Sequence, residues 1–167
     1  YIGAHLIEIL IKEKKNVFIL DNLSTGHKKL IIKKAKFIRS DISNTKKIKK
    51  IVKLYKIDSV IHLAAVLSVG EGQKNPKKYY KINVDGTKKV LQSIKNSNVR
   101  NFIFSSTCAV YKYVLKKVSE KSSLKPTSVY GKTKLKCEKL IQSFCYKQDI
   151  NYGILRFFNV AGASPSG

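Results

Sequence analysis

The sequence predicts an α/β chain built on a doubly wound parallel sheet, and three observations predict it. Short apolar runs rich in β-branched and aromatic residues alternate with segments of helical periodicity from one end to the other. The stretches between successive runs are too long for hairpins, so the strands must run parallel. The runs are apolar at consecutive positions, as strands covered by helices on both faces must be.

Residues 4–14 carry Leu6, Ile7, Leu10 and Ile11 at helical spacing and stop at the charged "KEKKN". "NVFILDN" is a buried strand ending in acid, and "AKFIRSD" repeats the form up to Asp41. A helix over 45–56 places Ile48, Ile51, Val52 and Tyr55 on one face, and "DSVIHLAA" is a third buried strand that runs into small residues. Tyr80, Val84, Leu91 and Ile94 predict one long helix over 76–97. "NFIFSST" follows as a strand, 128–148 as a helix, and "YGILRFFNVAG" as a last strand leading into a loop. Residues 112–127, lysine-rich and irregular, read as a surface excursion.

At 167 residues the chain fits one ordinary domain with a sizeable core. It contains no apolar run of the roughly 20 residues needed to cross a bilayer, and its first residues have no basic leader or cleavage site, so a cytoplasmic protein without membrane partners is expected. The three cysteines, Cys108, Cys137 and Cys145, form no CxxC pair, which argues against a disulfide framework and a zinc site and for a reducing compartment. His5, His27 and His62 show no metal-ligand spacing, so no metal is expected. The formal charge is +24, yet of 34 basic residues only Arg39, Arg100 and Arg156 are arginine. Base readout and bidentate phosphate clamping favour arginine, so the excess reads as a solvated lysine surface ahead of a specific nucleic-acid site.

In a doubly wound sheet, ligands bind beyond the carboxyl ends of the strands. Those ends collect Asp21 and Asn22, Asp41 and Ile42, Leu63, Ala64 and Ala65, the hydroxyl cluster Ser105, Ser106 and Thr107, and Phe158 with Asn159. Asp21 lies 18 positions after Gly3. An acid about that far past a glycine loop accepts hydrogen bonds from adenosine ribose and repels a 2′-phosphate, which favours NAD over NADP; Asp-Asn is equally a turn former. In "SVYGKTK", Tyr130 and Lys134 are one helical turn apart on a common face. A free tyrosine has a pKa near ~10, and a nearby cation lowers it, so the pair makes a proton acceptor. With Thr107 available to bind a substrate hydroxyl, the set reads as an alcohol/ketone redox site.

"YIGAHL", "ILDNLSTG", "DSVIHLAA", "SVGEG", "YYKINVDGT", "NFIFSSTCAVY", "YGKTKL" and "LRFFNVAGASPSG", in this order and at these spacings, resemble the extended short-chain dehydrogenase/reductase family, and within it the nucleotide-sugar 4-epimerases, from end to end. The resemblance implies a Rossmann-type fold that is incomplete, because family members begin with a strand and glycine loop of which this chain carries only the last residues. It implies a partial NAD-binding domain over 1–158 and, over 159–167, the start of a sugar-nucleotide-binding region. It implies NAD as cofactor, a UDP-hexose as substrate and a homodimeric full-length parent, with these residues alone inactive.

By the same resemblance Tyr130 is the base, Lys134 holds the nicotinamide ribose, and Thr107 binds the reacting oxygen. Gly3, Asp21, Asn22, Asp41, Ile42, Leu63, Ala64, Ala65, Asn83 and Phe158 line the cofactor, and Asn159 joins Thr107 and Tyr130 on the sugar. Leu67, Ile82 and Lys112 depart from the family pattern; at 112 glycine is usual. Related dehydratases carry Asp-Glu after the active-site hydroxyl, where this chain has Cys108 and Ala109. Dehydratases and decarboxylases of nucleotide sugars remain alternatives within the family, and a basic or decayed binding module is the non-enzymatic one.

Overall fold

The computed structural model describes residues 1–115 and 117–163. Residues 164–167, which end the last quoted motif and the expected second region 159–167, lie outside the described residues. The order of the main elements is α1 (Ile2–Lys12), β1 (Phe18–Asp21), β2 (Lys36–Arg39), α2 (Thr45–Leu54), β3 (Ser59–His62), α3 (Val69–Lys74), α4 (Pro76–Tyr79), α5 (Gly86–Ile94), β4 (Asn101–Thr107), α6 (Val129–Gln148) and β5 (Asn151–Phe157).

All strand pairings between these elements are parallel. β1 pairs with β2, Asp21 beside Arg39, and a second sheet has the order β3-β4-β5. β1 and β3 share no ladder. Parallel pairing brings every carboxyl end to one edge, which is where the candidate residues stand. The core lies between the three-stranded sheet and helices α2, α5 and α6. There Phe102, Phe104, Val99, Ile94 and Ile141 are each 1% exposed or less, and burying each such side chain is worth roughly 1.5–3 kcal/mol. α1 contributes no buried residue.

Local chemistry sets the helix starts. Asn44, Ser68 and Ser128 each accept a backbone N–H of the first turn, from Lys47, Glu71 and Gly131. The expected long helix runs without a break from Pro76 to Ile94, as α4, a widened π-helical segment Tyr80–Asp85 and α5. The reason for the widening lies at Asn83, whose carbonyl accepts Thr87 Oγ1 (2.6 Å) and Cys137 Sγ (3.3 Å), side-chain bonds that suit the widened turn. α3 is absent from the sequence reading because Gly70 and Gly72 suppress its helical signal. It is held from outside: Tyr79 donates its hydroxyl to Ser68 O (2.6 Å), and its ring packs so closely that a Cβ at Gly72 would stand 3.1 Å from it. The excursion 112–127 is tied back by a bridge of Tyr111 with Leu124 and a bond from Lys112 N to Ser123 O. Lys112 does not take a positive φ, so the lysine at this usually glycine position carries no backbone strain.

Candidate functional site

The β1/β2 half of the edge is a small polar cluster. Asp21 Oδ1 accepts the N–H of Leu23 (2.7 Å), which leaves Oδ2 for a ligand hydroxyl. Asn22 donates to Asp41 Oδ2 (2.8 Å), and Ser43 N–H donates to Asp41 Oδ1 (2.8 Å). The Ser43 hydrogen bonds, with a smaller one from Asn22, hold the Asp41 carboxyl below its ordinary value. Ile42 packs on α5: a Cβ at Gly86 would stand 2.5 Å from its Cδ1. Across the break in the sheets, Gly3 at the start of α1 approaches Leu63, where a Cβ would stand 3.4 Å from Cδ1.

Leu63, Ala64 and Ala65 follow β3 in a loop that Asn83 secures. Asn83 is 2% exposed; its Oδ1 accepts Val66 N–H (2.9 Å), while Nδ2 donates to Val66 O (3.1 Å) and Thr133 Oγ1 (3.1 Å). Both amide hydrogens are therefore engaged. Asn83 thus shapes the loop at the edge where the resemblance implies a cofactor. Beneath it, Thr87 gives its hydroxyl proton to Asn83 O, so it accepts from His62 Nε2 (2.9 Å) and sets that tautomer of the histidine. Burial, with a smaller push from Lys134, lowers the His62 pKa to about 3, so the ring is neutral.

The β4/α6 half holds Thr107, Tyr130 and Lys134. α6 begins at Ser128 with two caps, Ser128 Oγ on Gly131 N–H (3.0 Å) and Gln73 Oε1 of α3 on Val129 N–H (2.9 Å). Its first turn presses on the turn after β4: a Cβ at Gly131 would stand 2.4 Å from Ala109 O. This approach puts Tyr130 against the end of β4, where the nearby Thr107 hydroxyl favours the ionised phenol. Thr107 Oγ1 accepts Ala109 N–H (3.2 Å). Tyr130 is half-buried, and its pKa stands above the ordinary value because burial outweighs the effect of Thr107.

Lys134 departs from the simple picture. It shares a helix face with Tyr130, yet the influences on the phenol are burial, Thr107, Cys108 and Tyr79, and Lys134 is not among them. Its long stem carries the ammonium inward to 4.4 Å from the centre of the Phe104 ring. Burial pulls its pKa down to about 8, against support from Cys137 and Glu138. Phe158 and Asn159 follow β5 at the same edge, Phe158 being 62% exposed.

Sequence reading missed a buried ionic group beside this half. Glu138, 1% exposed, pairs with Arg156 through Nη2–Oε2 (2.8 Å) and Nε–Oε1 (3.1 Å) and accepts the Ser106 hydroxyl. The available signal was a lone arginine inside an apolar strand, which requires a partner. Among the described residues, no three His, Cys, Asp or Glu side chains are grouped to hold a metal, and no helix is long and apolar enough to cross a membrane.

Residues 1–167 match the model of the NAD dependent epimerase/dehydratase family. A UDP-glucose 4-epimerase of Lactobacillus helveticus is 43% identical over 168 residues, taking in all of this chain and 51% of the relative. A crystal structure of a UDP-glucose 4-epimerase superposes with a TM-score of 0.96 at 37% identity, over the whole chain and 51% of the other. The Brucella ovis UDP-glucose 4-epimerase in complex with NAD gives 0.95 at 33%, with the same coverage. The chain spans about half the length of the curated relatives it matches.

Proposed function

The chain belongs to the NAD dependent epimerase/dehydratase family, and from that premise we propose that it forms the cofactor-binding half of a nucleotide-sugar 4-epimerase, with UDP-glucose and UDP-galactose as the favoured pair. The observation that carries this reading is the placing of Tyr130 beside Thr107 at the carboxyl edge of the sheet, where the first turn of α6 presses on the turn after β4, in a chain aligned over its whole length with UDP-glucose 4-epimerases. Residues 1–158 would be the NAD domain, and the sugar-nucleotide region would begin at 159.

The residues present suit NAD. Asp21 offers a free carboxylate oxygen at the end of β1 for a ribose diol, and its charge disfavours a 2′-phosphate. Gly3 brings the start of α1 close to Leu63, where backbone N–H groups suit a pyrophosphate. Lys134 and Tyr130 would serve the nicotinamide end. When bound, NAD takes a hydride from the sugar C4 and later returns it.

The chain's own part is proton handling and orientation. Thr107 would hold the reacting oxygen while Tyr130 takes the proton of the 4-hydroxyl. After the 4-keto sugar has turned over, Tyr130 would return that proton as the carbonyl is reduced from its other face. A phenol with a raised pKa suits the return step, and Thr107 favours its ionised form in the first. Cys108 and Ala109 place no carboxylate after Thr107, which favours epimerisation over dehydration.

The test is conversion of UDP-glucose to UDP-galactose by the full-length protein. Tyr130→Phe is expected to slow it by at least about a hundredfold, the lower end of the usual range for a general acid–base group. Comparable turnover in the variant removes Tyr130 from this role.

A further inference from the structure

None of the steps above uses the buried pair Glu138 and Arg156. A buried ion pair is a weak stabiliser, since desolvation offsets the attraction, so its value has to be sought in what it connects. Glu138 stands one turn beyond Lys134 on α6. It is held by Ser106, the neighbour of Thr107 on β4, and in bidentate fashion by Arg156 of β5, two residues before Phe158. Arg156 Nη1 also donates to Tyr111 Oη (3.2 Å) and Glu120 O (3.3 Å), and its guanidinium lies 5.0 Å from the Tyr111 ring. Tyr111 stands at the start of the excursion and Glu120 within it, and its end leads into α6 and Tyr130. One pair of side chains thus joins the helix of Tyr130 and Lys134, the strand end of Thr107, the strand end before Phe158 and the excursion.

We propose that Glu138 and Arg156 are positioning residues, a clamp that sets where Thr107, Tyr130 and Lys134 stand relative to one another. The proposal rests on the reading that those three residues carry the reaction. Lys134 is faced by Tyr130, Cys137 and Glu138 on its own helix, and by His62 of β3 and Phe104 of β4. His62 is neutral and burial keeps Cys137 a thiol, so the anion supporting the ammonium is Glu138, whose orientation Arg156 dictates.

The experiment uses the full-length protein and three variants. Arg156→Lys keeps the charge and loses the planar fork. The double variant Glu138→Met/Arg156→Met removes the clamp without stranding a charge. Glu138→Gln removes the anion. Arg156→Lys and the double variant are expected to lose on the order of tenfold or more in kcat, with NAD Kd and substrate KM held within about threefold. In Glu138→Gln the Lys134 titration, followed by lysine NMR, is expected to move to lower pH by about half a unit or more. Folding is checked by Tm, and if the double variant fails to fold, Arg156→Lys decides.

A folded Arg156→Lys protein with more than a third of the wild-type kcat overturns the clamp. So does a loss of kcat matched by an equal loss of NAD affinity, or an unmoved Lys134 titration in folded Glu138→Gln. Absence of epimerase activity in the wild type overturns the functional reading instead, and the lysine titration still decides whether Glu138 supports Lys134.

Discussion

At Lys134 an ammonium is 2% exposed and rests on an aromatic face, so its charged form is held at a cost. Its folded pKa is about 8 against a model value of 10.5. Between these values the unfolded chain binds more protons than the folded one, so stability rises with pH across about 8 to 10.5; below 8 the full cost is present. At 1.36 kcal/mol per pH unit the span is worth about 3 kcal/mol. Lys134→Met is therefore expected to be more stable than wild type at pH 7 and inactive, and the gap between the two denaturant midpoints should narrow from pH 8 to 10.5. A gap that does not change with pH would show that burial is not what lowers this lysine. At this scale the Tyr130/Lys134 spacing and the Thr107 hydroxyl were legible in the sequence. The direction taken by the lysine stem was not, because it depends on Phe104 arriving from β4.

Among the elements, α6 depends most on close approach to its surroundings. Gly131 sits where a Cβ would stand 2.4 Å from a backbone oxygen, and backbone cannot swing aside as a flexible side-chain tip can. Gly131→Ala is expected to cost about 1–3 kcal/mol through overpacking and to displace Tyr130 from Thr107, lowering kcat along with Tm. Gly153 in β5 is the control: a Cβ there would meet only Ile103 Cγ1 at 4.0 Å, so Gly153→Ala should leave both quantities nearly unchanged. Equal effects from the two variants would dismiss the contact. The strands, α2 and α6 were readable from periodicity and run composition. α3 and the π-helical segment were not, since glycines weaken the first and cross-element bonds to the Asn83 carbonyl accompany the second.

Across the whole molecule burial is uneven. β4 is paired on both sides and carries Phe102 and Phe104 at 0% and 1% exposure, whereas α1 buries no residue. In the 167-residue chain, amides of β4 are expected to exchange with solvent at least about a hundredfold more slowly than those of α1, a difference of about 2.7 kcal/mol in local opening. Uniform protection would mean that both sheets open as one cooperative unit.

From local information alone the chain determined its alternation of strands and helices, the parallel sense of the sheets and the hydroxyl, phenol and lysine to be brought together, because each is written in neighbouring residues. Only the tertiary structure decided the loop-shaping role of Asn83, the inward turn of Lys134 and the Glu138–Arg156 pair. Those depend on groups 17 to 50 positions apart, whose meeting is set by how helices pack on strands.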